Sequence, residues 1–195
     1  MTKASKRVIE RQRRRMRQYY AVGGAVLAVS AIATALTVFA PGPNTHPDGQ
    51  LTGYAIINTA SGQIVFKFLE TETPITCAQF ITLFRGGYYN GLTWHRVVEN
   101  FVIQTGQGAS RSTIPLELNP NLHNDLGFVG VARTDDPNSG STQFYINKAN
   151  NRNLDTTGGG YTVFGQVTRG MEIVQRVTQD ELIYNATFVR SATPP

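Results

Sequence analysis

The 195-residue chain has a single cysteine, Cys77, so no internal disulfide can form, and neither a reducing nor an oxidising compartment is implied. It has one tryptophan and three histidines, and His46 and His123 stand outside any metal-ligand spacing. Charged residues make up only 16% of the chain and glycines number 19, proportions that suit a turn-rich β protein. The Gly-rich stretches 106–108 and 158–160 lack a following Lys-Ser/Thr, which excludes a phosphate loop. Ser139 and Ser141 lack the flanking pattern of a nucleophile elbow. A basic surplus is also missing where a nucleic-acid-binding domain would need one. Residues 1–18 hold eight Lys/Arg against Glu10, a charge of +7 in a chain whose total is +5, so the remainder carries −2. No nucleic-acid partner is expected for that remainder.

One long apolar run is present. Residues 19–40, YYAVGGAVLAVSAIATALTVFA, carry no charge over 22 positions. At about 1.5 Å per residue such a helix spans roughly the 30 Å of a bilayer core. Tyr19 and Tyr20 stand at its start, where interfacial aromatics belong, and the basic arm before it predicts a cytoplasmic N-terminus. The competing expectation is a cleaved signal peptide ending at Val38-Phe39-Ala40. Pro41 directly after that site and the length of the run favour an uncleaved anchor. Both expectations put the rest of the chain outside the cytoplasm. The division is a basic arm (1–18), a transmembrane helix (19–40), a Pro/Gly linker (41–50) and a folded domain (51–195).

Within the domain the pattern is mostly short strands. Tyr54, Ile56, Ile64, Phe66 and Phe68 flank the turn Thr59-Ala60-Ser61-Gly62 and predict a hairpin. Thr73-Pro74 predicts a helix start, with Thr73 as N-cap, Ile75, Ala78, Ile81 and Phe84 on one face, and Gly86-Gly87 as the stop. Cys77 falls inside it as a packing residue. Residues 107–125 are polar and irregular and are expected at the surface. Strands are expected over 127–132, 142–147 and 161–167, a helix from Met171 to Val177 with Met171, Val174 and Val177 on one face, and a closing strand at Phe188 and Val189. Many short strands with two helices predict a closed antiparallel barrel with a helix at each end.

The stretch that organises the domain is 94–108, WHRVVENFVIQTGQG. If it forms two short strands around a turn at Glu99-Asn100, Arg96 and Val98 share a face and Gln104 and Phe101 return beside them. A guanidinium at the edge of an apolar slot suits a neutral, carbonyl-bearing, apolar ligand.

This stretch resembles the signature of the cyclophilins, the cyclosporin-binding peptidyl-prolyl isomerases. Two further segments resemble the family in the same order: VARTDDPNSGSTQFYI (131–146) and NLDTTGGGYTVFGQVTRGM (153–171). The resemblance covers about residues 52–190. It implies a mainly β fold, a closed eight-stranded antiparallel barrel capped by two α-helices. It also implies rotation of X–Pro bonds in proline-containing polypeptides, without a cofactor or metal. By the resemblance Arg96 is the catalytic arginine, and Gln104 orients it and contacts the substrate carbonyl. Phe101, Val102, Tyr145 and Leu154 are walls of the proline pocket, Gln143 a binding glutamine, and Ala132 and Arg133 an edge that pairs with substrate backbone. Tyr161 falls where many members have histidine, Val102 replaces a commoner methionine, and Tyr145 replaces phenylalanine and adds a hydroxyl at the rim. His95 is expected to hold the site from beneath through a ring hydrogen bond. Arg133, in place of an asparagine, makes the sequence closer to bacterial members, for which periplasm and thylakoid lumen both suit the domain.

Two functions are expected on these grounds. One is a membrane-tethered isomerase for non-cytoplasmic or membrane-associated clients; the other is a non-catalytic docking or assembly factor for a membrane protein complex.

Members that bind cyclosporin tightly carry an indole where this chain has Asn153. Cyclosporin should therefore inhibit this protein weakly, and Asn153→Trp should raise its potency by about tenfold or more, the worth of one hydrogen bond and one aromatic contact. An inhibition titration with unchanged potency after the substitution defeats this expectation.

Overall fold

The computed structural model describes residues 51–109 and 111–195. The basic arm, the apolar run 19–40 and the linker lie outside the described residues. Among the described residues no helix is long and apolar enough to cross a membrane.

β1 (Thr52–Thr59) and β2 (Gly62–Phe68) form the expected hairpin, with Thr59 paired to Gly62. α1 (Pro74–Arg85) comes next, then β3 (Arg96–Val98), β4 (Val102–Thr105), β5 (Phe128–Val131) and β6 (Phe144–Asn147). Two short 3-10 turns (Arg152–Asp155 and Thr157–Gly159) lead to β7 (Val163–Arg169), α2 (Met171–Arg176) and β8 (Ile183–Ser191). The eight strands form one antiparallel sheet in the order β3-β4-β6-β5-β7-β2-β1-β8.

This sheet curls into a half-barrel and does not close as expected. Its edge strands β3 and β8 do not pair; the segment ahead of β3 is joined to the start of β8 by the isolated bridge between Thr93 and Leu182 and by backbone bonds of Gly91, Leu92 and Trp94 to Asp180, Glu181 and Ile183. Beyond that bridge a side chain replaces the ladder. The Val97 N–H donates to Gln179 Oε1 at 2.9 Å, and Gln179 Nε2 donates to the His95 carbonyl. A side-chain amide supplies one donor and one acceptor to an edge that a full strand would otherwise pair.

The inner face of the curl holds the main core. Phe66, Phe80, Phe84, Phe144, Phe164 and Trp94 are all fully buried there. Phe80 of α1 stacks on Phe164 of β7 at 4.2 Å, and Phe66 meets Phe84, Phe144 and Phe164 edge-on, the two favoured aromatic geometries. Cys77 lies in this layer, and burial pushes its thiol up to about 12, so it acts as a packing group.

The register corrects the expected alternation in β1. Ala55 sits opposite Phe66 and Ile57 opposite Ile64, so Ala55 and Ile57 face the core, not Tyr54 and Ile56. The segment is apolar on both faces, which hides its phase. In α2 the buried residues are Ile173 and Val174, with Met171 only packed against the core edge.

The irregular segment 107–125 is only partly a surface feature. Ile114 is buried and bridges to Gly140, and Asn124 is completely buried. Its backbone is satisfied by side chains: Leu116 N–H donates to Asn138 Oδ1 and Glu117 N–H to Thr162 Oγ1. It also caps α1. Thr73 makes no side-chain cap; its hydroxyl lies 3.3 Å from the carbonyls of Leu69 and Val163. The carboxylate of Glu117 instead accepts from the Ile75 and Thr76 N–H groups at 3.2 and 2.8 Å. A carboxylate there answers both the unpaired amides and the positive end of the helix.

Candidate active site

The outer face of β3, β4, β6 and β5 carries a second apolar cluster, separate from the core. Antiparallel pairing sets Arg96 opposite Gln104, Gln104 opposite Tyr145, and Tyr145 opposite Gly130. Directly opposed residues share a face, so these four form one row across four strands. The turn that allows this, residues 99–101, holds Asn100 in the left-handed region at φ 55°. Asn tolerates that conformation better than most residues.

At one end of the row is charge. Arg96 is exposed; its Nη1 donates to Gln104 Oε1 at 3.3 Å, and Gln104 Nε2 donates to Gln143 Oε1 at 2.9 Å. Its guanidinium lies 5.5 Å from the Phe101 ring centre. At the other end is grease. Val102, Tyr145 and Leu154 are buried together, with Phe101, Ala132 and Tyr161 packed around them. Gly130 is what lets the Tyr145 ring lie flat across the sheet: a Cβ there would come within 2.3 Å of the ring carbon Cζ.

Nine of the ten residues singled out from sequence come together at this face: Arg96, Gln104, Gln143, Phe101, Val102, Tyr145, Leu154, Ala132 and Tyr161. The side chain of the tenth, Arg133, turns away. It donates to the carbonyls of Thr134, Gly158 and Gly160 at 2.8, 2.8 and 2.7 Å, and its guanidinium covers the Tyr161 ring at 4.1 Å. The exposed Asn153 uses its carbonyl to accept from Thr157 Oγ1 at 2.7 Å.

One expectation needs correction. The Tyr145 hydroxyl is not at the rim. It points inward and donates to Asn124 Oδ1 at 2.6 Å, and burial pushes the phenol well above its ordinary range. The His95 ring, expected to be bonded beneath the site, has a side-chain hydrogen bond with Gln143, while its Nδ1 is buried without a partner among the described residues. Burial holds this imidazole below the ordinary histidine value, opposed by Gln143 and assisted by the neighbouring Arg96 charge.

The supporting polar residues carry no local sequence signal. Asn124 accepts from Tyr145 and donates to Asp155 Oδ1 through both its side chain, at 2.8 Å, and its backbone, at 2.9 Å. His123 Nδ1 lies 2.8 Å from the other Asp155 oxygen. Burial would raise the Asp155 carboxyl, but the bonds from Asn124 and His123 outweigh it and hold the group below the ordinary carboxylate range. On the other side the Phe101 carbonyl accepts from Lys148 N–H and from Asn151 Nδ2, both at 2.8 Å. The Lys148 ammonium, 1% exposed, reaches Glu99 at 2.8 Å. These bonds fix the turn that presents Phe101. A signal for them would have to be long-range, because each joins segments far apart in the chain.

A cation and two amides in a row beside a shallow apolar hollow suit an uncharged, carbonyl-bearing, apolar ligand. Comparison with known proteins specifies the class. The family described as cyclophilin type peptidyl-prolyl cis-trans isomerase/CLD matches residues 54–191. A peptidyl-prolyl cis-trans isomerase of Streptomyces antibioticus is 38% identical over 133 residues, covering 62% of this chain and 80% of its own length. Peptidyl-prolyl cis-trans isomerase B of Escherichia coli is 36% identical over 132 residues, with 62% and 80% covered. Among solved structures, a cyclophilin type isomerase of Cryptosporidium parvum superposes with a TM-score of 0.64 over 71% of this chain and 98% of its own, at 22% identity, which speaks for the fold. The chain belongs to the cyclophilin family, and its activity is peptidyl-prolyl cis-trans isomerisation.

Removing the Asn124 side chain leaves the Tyr145 hydroxyl and Asp155 short of partners. Asn124→Ala should lower stability by about 1–3 kcal/mol in a denaturant titration. In a double-mutant cycle with Tyr145→Phe the two costs should fail to add by at least about 0.5 kcal/mol. Strict additivity would show that the hydroxyl and the amide act separately.

Proposed function

We propose that Arg96 is the catalytic cation and that the Val102–Tyr145–Leu154 hollow, with Phe101 at its lip, holds the proline ring. The barrier to be lowered is the roughly 18–20 kcal/mol of amide resonance. In X–Pro bonds both isomers are populated, yet exchange takes tens to hundreds of seconds. A donor aimed at the prolyl nitrogen favours the pyramidal, unconjugated form. Each tenfold in rate requires about 1.4 kcal/mol of stabilisation felt only in the twisted state. The observation that supports this reading is the row itself: Gln104 takes one N–H of the guanidinium at 3.3 Å and is in turn held by Gln143. The fork is thereby oriented before substrate arrives, and preorganised charge incurs little reorganisation cost during the reaction. Gln104 also faces the substrate carbonyl, Gln143 and Tyr161 are further substrate contacts, Ala132 and the Arg133 backbone form the edge along which substrate lies, and Leu154 closes the far wall.

The sequence ahead of the domain supports a location. An uncharged run of 22 residues after eight Lys/Arg suits a single-pass anchor with a cytoplasmic N-terminus. The domain then works in a periplasm or thylakoid lumen, on X–Pro bonds of exported or membrane-associated proteins. The arm and anchor also suit a docking factor, in which the pocket would hold a partner without turning it over. The oriented guanidinium favours turnover, since a dock has no use for it.

Arg96→Ala should lower kcat/KM on a proline tetrapeptide by about 10²–10³-fold, the effect of losing one preorganised donor set, while the thermal melt is unchanged. Activity retained in that variant rejects the catalytic assignment, and an inactive variant that rescues a deletion strain would favour docking. Intact mass of the protein in purified membranes should equal that of the whole chain; a mass lacking residues 1–40 would replace the anchor with a signal peptide.

A further inference from the structure

A second concavity adjoins the proline hollow and shares Tyr161 with it. Its volume is about 230 Å³, and Leu118, Pro120, Leu122 and Tyr161 wall it, with His123 and Asp155 on its polar side. Apolar cavities of about 150 Å³ already admit benzene. This one therefore has room for a phenylalanine or leucine side chain.

The two hollows share a wall. Tyr161 packs against the Val102–Tyr145–Leu154 cluster, with its ring 6.3 Å from that of Tyr145, and it also lines the second cavity. Leu154 belongs to the first hollow and its chain neighbour Asp155 to the second. The wall is rigid. Arg133 lies over the Tyr161 ring and is itself bonded to the carbonyls of Gly158 and Gly160. The outer lip is Leu118, 53% exposed, one of five large apolar side chains that the described residues leave open to water.

The polar side of the cavity offers little to a charged ligand. Asp155 already accepts from His123 and twice from Asn124. The rest of the lining is apolar apart from Asn119, and Tyr161 joins the cavity to the proposed proline hollow.

We infer that this cavity is a substrate subsite, filled by an apolar side chain two residues along the chain from the proline. The inference rests on the proposed proline pocket. An extended chain advances about 3.3–3.6 Å per residue, so two residues span roughly 7 Å, comparable to the 6.3 Å between the Tyr145 and Tyr161 ring centres. Side chains two apart also point to the same side of an extended chain. One substrate can therefore fill both hollows at once, with its proline on one side of Tyr161 and a leucine or phenylalanine on the other.

The test uses the full chain in detergent and two peptide pairs, each peptide with one X–Pro bond. One pair carries Phe or Ala two residues before the proline, the other two residues after it, and NMR exchange reports kcat/KM for each. In one of the pairs the Phe peptide should be about tenfold better than the Ala peptide. Leu118→Trp, which fills the mouth, should bring that ratio close to one, and Leu118→Ala, which removes the lip, should lower it severalfold. Equal values for Phe and Ala in both pairs overturn the subsite while leaving the proline pocket intact. A preference that survives both substitutions also overturns it. Wild-type protein that turns over none of the four peptides overturns the pocket, and the subsite with it.

Discussion

The pairing register of β3, β4, β6 and β5 is the constraint on which the site depends. It sets Arg96, Gln104, Tyr145 and Gly130 side by side on the outer face. A slip of one residue in any of these pairs would send that strand's site residues to the core face and its core residues outward. The core resists such a slip, because Ile103, Phe144 and Ile146 alternate with the site residues along the same strands and are completely buried. The burial that stabilises the fold thus also holds the site in place, and neither can shift without the other.

Around that register the molecule places polar side chains where regular structure ends. Glu117 caps α1, Asn138 and Thr162 hold the irregular segment, Gln179 fills the gap at the sheet edge, and Asn124 and Asn151 tie the loops beneath the hollow. Each answers a backbone or side-chain group that would otherwise lack a protein partner, and at the buried Tyr145–Asn124 bond the loss would cost about 1–3 kcal/mol. Their shared consequence is a stiff rim. Phe101, Leu154 and Tyr161 all lie on turns, yet each turn is bonded to a neighbouring strand or loop, so the hollow is shaped before any ligand arrives.

Much of this was legible in the sequence, and the rest was hidden for definite reasons. The Arg96–Gln104 pair could be read because it comes from a short local hairpin, and side-chain period two does the rest. The same holds for the α1 start at Pro74 and the turn before Gly62. The phase of β1 was not legible, because Tyr54 to Ile57 are apolar on both faces and alternation carries no signal there. The open seam was not legible either, since a succession of strands does not say which two will be left as edges. Tyr145 could be placed in the hollow, but not the direction of its hydroxyl, which depends on Asn124, 21 residues away. Arg133 could be placed at the edge, but its side chain is drawn to four carbonyls, three of them contributed by a distant turn.

The seam between β3 and β8 has a further consequence. β3 is three residues long, has one ladder partner, and is held on its open side by a single glutamine. Its amide protons should therefore trade with solvent by local fraying, at a free-energy cost well below that of melting the aromatic core. Arg96 is on that strand. Gentle heating should then loosen the proposed catalytic cation while most of the molecule is still folded, and cooling should restore it without any refolding of the interior.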